Sequence, residues 1–212
     1  MIDGRERAPL AATRDLYLDE EGDFVRERSL NGPLAAGIPG EPAALVHLAE
    51  KYGQLPLKVT LQPAVRLARE GFRVDPIYRR MATWRQQVLL TSPAAAAQFL
   101  SDGEVPAEGD LLRQPDLANT LERLAEQGHA GFYAGPIAQA LVQGVRAAGG
   151  IWSAEDLAAY HVIERSPIIG RYRGWQVTSA APPSSGGVAL VQMLNMLSRF
   201  DLTEMQRTDA FT

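Results

Sequence analysis

The chain has 212 residues, 46% of them apolar and 22% charged, a composition able to bury a core in one domain or two small ones. Lysine and arginine number 21 against 25 acidic residues, so the net charge of -4 gives no reason to expect nucleic acid or an anionic membrane as partner. With no cysteine, disulfides, zinc-cysteine sites, iron-sulfur clusters and thiol nucleophiles are excluded, and what remains is the chemistry of hydroxyls, carboxylates, guanidinium groups and backbone amides.

The opening residues, Met1 to Arg7, carry too much charge to read as a secretory leader, and nowhere does an apolar run approach the roughly 18 to 20 residues of a membrane span. The first 35 residues or so show no sustained period, and Asp19-Glu20-Glu21-Gly22 reads as a solvated turn. After Gly37-Ile38-Pro39-Gly40 the spacing of Ala44, Leu45, Leu48, Ala49 and Tyr52 predicts an amphipathic helix closed by Gly53. Pro63 is expected to open a second helix, ended by Gly71. Asp75-Pro76 then forms an N-cap and first-turn proline, with Ile77, Met81, Trp84 and Val88 following at helical spacing and Trp84 expected in the core.

Ala94 to Leu100 suits a turn or two of helix, Pro115 to Gln127 a longer one stopping at Gly128, and residues 136 to 148 another before Gly149-Gly150. Ser153-Ala154-Glu155-Asp156 has the form of a capping box with Asp in place of Glu, opening a short helix to Tyr160. The period then changes: Ile168 to Ser179 reads as strands around Gly170 and Gly174, and Pro182-Pro183-Ser184-Ser185-Gly186-Gly187 leads into a helix reaching about Phe200. The expected fold class is a mainly α-helical segment with a short strand pair near the C-terminus. It is divided into an irregular stretch over 1–36, a helical region over 37–161, and strands plus helix over 162–212. An isolated strand pair is marginal in water, so its sheet is expected to be completed by strands from elsewhere, either a second chain or more of a longer one.

Several strings in order carry a resemblance. They are Asp3-Gly4-Arg5-Glu6-Arg7-Ala8-Pro9, Gly37-Ile38-Pro39-Gly40, Tyr52-Gly53 with Pro56-Leu57, and Gln62-Pro63-Ala64 with Leu67-Ala68-Arg69-Glu70-Gly71-Phe72. They continue through Phe132-Tyr133 with Gly135, Gly149-Gly150, Asp156-Leu157-Ala158-Ala159-Tyr160, Glu164-Arg165-Ser166-Pro167-Ile168, Tyr172-Arg173-Gly174 and Pro182 to Gly187. Together the chain resembles the large-subunit region of the gamma-glutamyltransferases, or glutathione hydrolases, autoprocessed N-terminal-nucleophile hydrolases. The resemblance implies a four-layer αββα sandwich in the complete protein, with 1–36 as a substrate loop. The precursor would cleave itself before a threonine, whose hydroxyl attacks a gamma-glutamyl amide while its new α-amino group serves as base.

Carried over residue by residue, Arg5 is the implied substrate ligand, gripping the glutamyl α-carboxylate as a planar two-pronged donor. Ser184 and Ser185 are read as a strand-to-helix turn, with a direct ligand role as the alternative; no lysine follows as in a P-loop. His47, His129 and His161 lie far apart in sequence, form no pair at helical spacing and are given no functional role. Thr208 and Thr212 do not sit in the family's processing context, so no catalytic nucleophile is expected in the chain. It is read as a large-subunit fragment, silent alone. No cofactor or metal is implied. The implied partners are gamma-glutamyl compounds such as glutathione and the small subunit of the same precursor, and the resemblance suggests a periplasmic or secreted location. The rival readings are a noncatalytic helical binding module and a phosphate-binding enzyme built on Ser184 to Gly187.

Overall fold

The structure, a computed structural model, describes residues 1–202. Its elements in chain order begin with β1 (Ile2–Asp3), α1 (Arg26–Leu30), a 3-10 turn (Pro33–Ala35), α2 (Glu41–Tyr52), α3 (Leu57–Glu70) and β2 (Phe72–Arg73). There follow α4 (Pro76–Leu90), α5 (Pro93–Phe99), β3 (Leu111–Leu112), α6 (Pro115–Gln127), α7 (Ala130–Tyr133), α8 (Gly135–Ala147) and α9 (Ala154–Ala158). The last are β4 (Ile163–Glu164), β5 (Ile168–Tyr172), β6 (Trp175–Ser179) and α10 (Ser185–Leu197). The described chain divides into two compact units, one formed by Gly4–Val162 and the other by Met1–Asp3 with residues 163–202.

In the larger unit the punctuation of the sequence sets the helix ends. Gly53 closes α2 and Gly128 closes α6, the Asp75 carboxylate accepts the Tyr78 N–H at 2.6 Å to cap α4, and the Asp19 carboxylate organises the acidic turn by accepting the Asp23 N–H at 2.8 Å. Helices α3 and α6 lie side by side, with Ala118 and Leu124 buried between their neighbours. Arg69 spans them, donating to both Glu122 oxygens at 2.7 and 2.9 Å and to Asn119 at 3.0 Å. The hydrogen bond and charge of Arg69 hold the Glu122 carboxyl below its ordinary range. The core proper gathers Ile38, Ala43, Tyr133, Ala138, Trp152, Leu157 and Tyr160, and its tryptophan donates its indole N–H to the Ala36 carbonyl at 3.0 Å.

Two expectations for this unit are overturned. Helix α3 begins at Leu57, so Pro63 lies inside it rather than at its start; the missing N–H costs one backbone bond, which the packing of α3 against α6 outweighs. Trp84 is not core. It is 74% exposed on α4, as are Ile77 at 63% and Met81 at 46%, and the only buried residue of that helix is Ala82. Helical spacing marks an apolar face; it does not say whether anything covers it.

In the smaller unit β1 and β4 pair antiparallel, Ile2 opposite Glu164, and Arg165 donates to the Asp3 carboxylate at 2.7 Å. Strands β5 and β6 form a hairpin with Ile168 opposite Ser179 and Tyr172 opposite Trp175. Its two-residue loop has positive φ at both positions, 47° at Arg173 and 85° at Gly174, the combination whose twist matches the flanking strands. Helix α10 lies on the hairpin so closely that a Cβ on Gly170 would stand 2.9 Å from both Val191 methyls, and one on Gly187 would meet the Ala180 carbonyl. Among the described residues the sheet has these two strands alone.

Candidate functional site

The Asp3-Gly4-Arg5-Glu6-Arg7-Ala8-Pro9 string has no helical or strand period of its own, so its shape must come from what it touches. From Gly4 to Pro9 it is an irregular strap held at successive points, with a turn beginning at Leu10. Gly4 passes against α2, where an added Cβ would come within 2.6 Å of the Ala44 methyl. The Arg5 carbonyl accepts a hydrogen bond from the Tyr160 hydroxyl at 2.6 Å. Arg7 pairs with Ile38 through both backbone groups, at 3.1 and 2.7 Å. The Arg7 guanidinium lies 5.2 Å from the centre of the Tyr160 ring and donates to the His161 carbonyl at 3.1 Å. Finally the Leu10 N–H donates to one oxygen of Asp156 at 2.6 Å.

Asp156 has two tasks. Its second oxygen accepts the Ser153 N–H at 2.7 Å and the Ser153 hydroxyl at 2.8 Å, while its own N–H donates back to that hydroxyl at 3.1 Å. This is the capping box read from the sequence, and it leaves the first oxygen for the strap. Asp156 is 6% exposed, and these bonds supply the partners that a buried carboxylate requires.

Behind the strap stands a column of rings. Tyr133 and Tyr160 stack at 5.5 Å, His129 stacks on Tyr133 at 4.3 Å, and His161 follows at 5.6 Å from His129. The Tyr133 hydroxyl donates to the Pro39 carbonyl at 2.7 Å and accepts the Ala43 N–H at 3.2 Å, so it joins the Gly37-to-Gly40 bend to the start of α2. Burial pushes this phenol well above its ordinary pKa; the Ala43 N–H acts the other way, and the neighbouring Tyr160 adds to the rise. His129 lies with Nε2 at 2.9 Å from the Tyr160 carbonyl, which places a proton on that nitrogen. Gly40 makes the arrangement sterically feasible, since a Cβ there would collide with both the Tyr160 hydroxyl and the Gly4 carbonyl.

Arg5 is thus a half-exposed guanidinium, its side chain 55% accessible and 3.7 Å from Glu6, carried on a backbone pinned on either side. Such a group suits an incoming carboxylate. Ser184 and Ser185 belong to the other unit, Ser184 as the residue before α10 with its N–H bonded to the Ala181 carbonyl at 3.2 Å and Ser185 as the first of the helix. His129 and His161, far apart in sequence, are ring neighbours in space, whereas His47 lies against Tyr52 at 6.3 Å on α2. Thr208 and Thr212 lie outside the described residues. Among the described residues no three His, Asp or Glu side chains gather in a way that could hold a metal ion, and no helix is long and apolar enough to cross a membrane. Sequence reasoning missed Gly40, Tyr133 and the second task of Asp156. The clustering of glycines at 37 and 40 was the available sign that something passes close there.

Comparison with known proteins bears on the family and the fold. The family model described as Gamma-glutamyltranspeptidase matches residues 1–211. The glutathione hydrolase proenzyme of Escherichia coli (strain K12) is 46% identical over 202 residues, covering 95% of this chain and 35% of that protein. The proenzyme of the same name from Bacillus subtilis (strain 168) is 38% identical over 206 residues, covering 96% of this chain and 35% of its own length. The crystal structure of Helicobacter pylori gamma-glutamyltranspeptidase superposes with a TM-score of 0.94 at 37% identity, over 97% of this chain and 59% of that one. The chain therefore spans about a third of the length of these curated relatives.

Proposed function

Because the chain belongs to the gamma-glutamyltranspeptidase family, we propose that it is the glutamyl-binding part of a gamma-glutamyltransferase, or glutathione hydrolase, made as a precursor. Arg5 binds the α-carboxylate of the gamma-glutamyl donor. The observation that carries this reading is the strap: a half-exposed guanidinium on a backbone fixed by the Tyr160 hydroxyl before the Arg7–Ile38 pair. A fixed backbone lowers the ordering entropy of binding, and a forked donor distinguishes a carboxylate from a neutral end.

The attacking hydroxyl comes from a threonine in the portion of the relatives that this chain does not span; two curated relatives are named proenzymes, which supports a precursor. That hydroxyl, deprotonated by the threonine's own α-amine, adds to the gamma-carbonyl. The tetrahedral intermediate collapses with loss of the amine, and water or an acceptor amine then releases the gamma-glutamyl group from the ester. In the completed αββα sandwich the β5–β6 hairpin and α10 supply one strand pair and one helix. Ser184 and Ser185 shape the turn between them.

The test is release of a chromogenic amine from a gamma-glutamyl anilide. The chain alone should release none, and activity should need the segment bearing the threonine; turnover by the chain alone would overturn the assignment of the nucleophile. In the assembled enzyme Arg5→Lys keeps the charge and loses the fork, so KM for the donor should rise roughly 10- to 100-fold. An unchanged KM would remove Arg5 from the site.

A further inference from the structure

We infer that Tyr160 is a positioning residue for the substrate arginine: its hydroxyl, admitted by the missing side chain of Gly40, fixes the carbonyl of Arg5 and thereby the direction in which the guanidinium leaves the strap. The inference rests on the reading of Arg5 as the carboxylate grip and deepens it.

Tyr160 is 2% exposed, and its ring lies 5.5 Å from that of Tyr133 and 5.2 Å from the Arg7 guanidinium. These neighbours and its burial restrict where the ring can sit. A buried phenol needs a partner for its hydroxyl, and the partner is a main-chain oxygen of Arg5 itself, at 2.6 Å. A bond to a residue's own carbonyl restrains ψ at that residue. It therefore acts on the orientation of Arg5 more directly than any contact farther along the strap. The geometry also needs Gly40, because a Cβ at that position would lie on the Tyr160 hydroxyl and on the Gly4 carbonyl together. Tyrosine and glycine form one device: the first supplies the hydroxyl and the second the space for it. The bonds of Ile38 to Arg7 and of Asp156 to Leu10 hold the strap beyond Arg5.

Tyr160→Phe keeps the ring, the stack and the arginine contact and removes only the hydroxyl. Two readings test it. In the chain, tryptic cleavage after Arg5 and Arg7, followed by mass spectrometry, should accelerate roughly tenfold in the variant, while cleavage after Arg79 and Arg80 in α4 stays at the wild-type rate. In the assembled enzyme the variant should raise donor KM roughly tenfold with kcat changed by less than about twofold. In an Arg5→Lys background the same substitution should add less than about twofold to KM, because it acts through the side chain already altered. Gly40→Ala, which displaces the hydroxyl from the other side, should reproduce the KM effect.

If Tyr160→Phe raises KM by the same factor with and without Arg5→Lys, Tyr160 serves general stability and the inference falls. If the variant leaves cleavage and KM at wild-type values while Arg5→Lys raises KM, the inference falls and the reading of Arg5 stands. If Arg5→Lys leaves KM unchanged, both fall.

Discussion

The two ends of this chain pair elements in opposite ways. In the corner where the strap meets α9, apolar rings are buried and polar atoms have partners: Tyr133, Trp152 and Tyr160 are at most 5% exposed and each donates a hydrogen bond to a carbonyl. In the unit formed by the β5–β6 hairpin and α10, Trp175 is 77% exposed, Ile169 59% and Met193 50%. The same residue types are thus covered in one place and open in the other. The corner meets its own requirements, whereas the hairpin and α10 leave large apolar side chains exposed.

The sharpest way to break this comparison is a matched pair of substitutions. Trp152→Ala should cost about 3–5 kcal/mol, through the cavity it leaves and the Ala36 carbonyl it abandons. Trp175→Ala should stay within about 0.5 kcal/mol. Equal losses of denaturation midpoint would show that exposure does not separate the two regions. A large loss at Trp175 only in a longer protein that contains this chain would show that its face is covered there.

A smaller effect is expected at Tyr133. Burial raises its folded-state pKa above that of the unfolded chain, so its contribution to stability is complete below about pH 10 and is lost as pH rises from there toward the folded value. Tyr133→Phe should cost about 1–3 kcal/mol near neutrality, because the Pro39 carbonyl and Ala43 N–H lose their partner. It should also flatten the decline at alkaline pH, as read by denaturant titrations across that range.

The smallest effect is at the open α3–α6 surface. Arg69 lowers the pKa of Glu122, so the pair contributes above the ordinary carboxylate range and the contribution fades as pH falls through the folded value. Glu122→Gln should remove that acid dependence with little change near neutrality. A marked neutral-pH loss would mean that the pair matters more than its exposure allows.

What was legible in the sequence was local. Gly53 and Gly128 close α2 and α6 where the spacing predicts, and Ser153 with Asp156 forms the expected box. The hairpin turns at Arg173 and Gly174, the second of the two glycines that mark it. The failures are of another kind. The commonest place for a helical proline is the first turn, but packing along α3 overrides that preference at Pro63. The spacing of Trp84 marks an apolar face and is silent about cover. The strap is marked by its string, whereas its contacts with Tyr160 and Gly40 arise only when residues distant in sequence are brought together.

That distance has a consequence for how the protein comes into being. The bond between Tyr160 and Arg5 joins residues 155 apart in sequence, and that between Leu10 and Asp156 joins residues 146 apart. Closing so long a loop is entropically unfavourable until the helices between have packed. The strap leaves the ribosome among the first residues of this chain, yet its anchors follow on the order of 10 s later at ordinary rates of synthesis. The segment bearing Arg5 is therefore early to be made and late to be seated, and the candidate binding corner takes shape only after α9 has arrived.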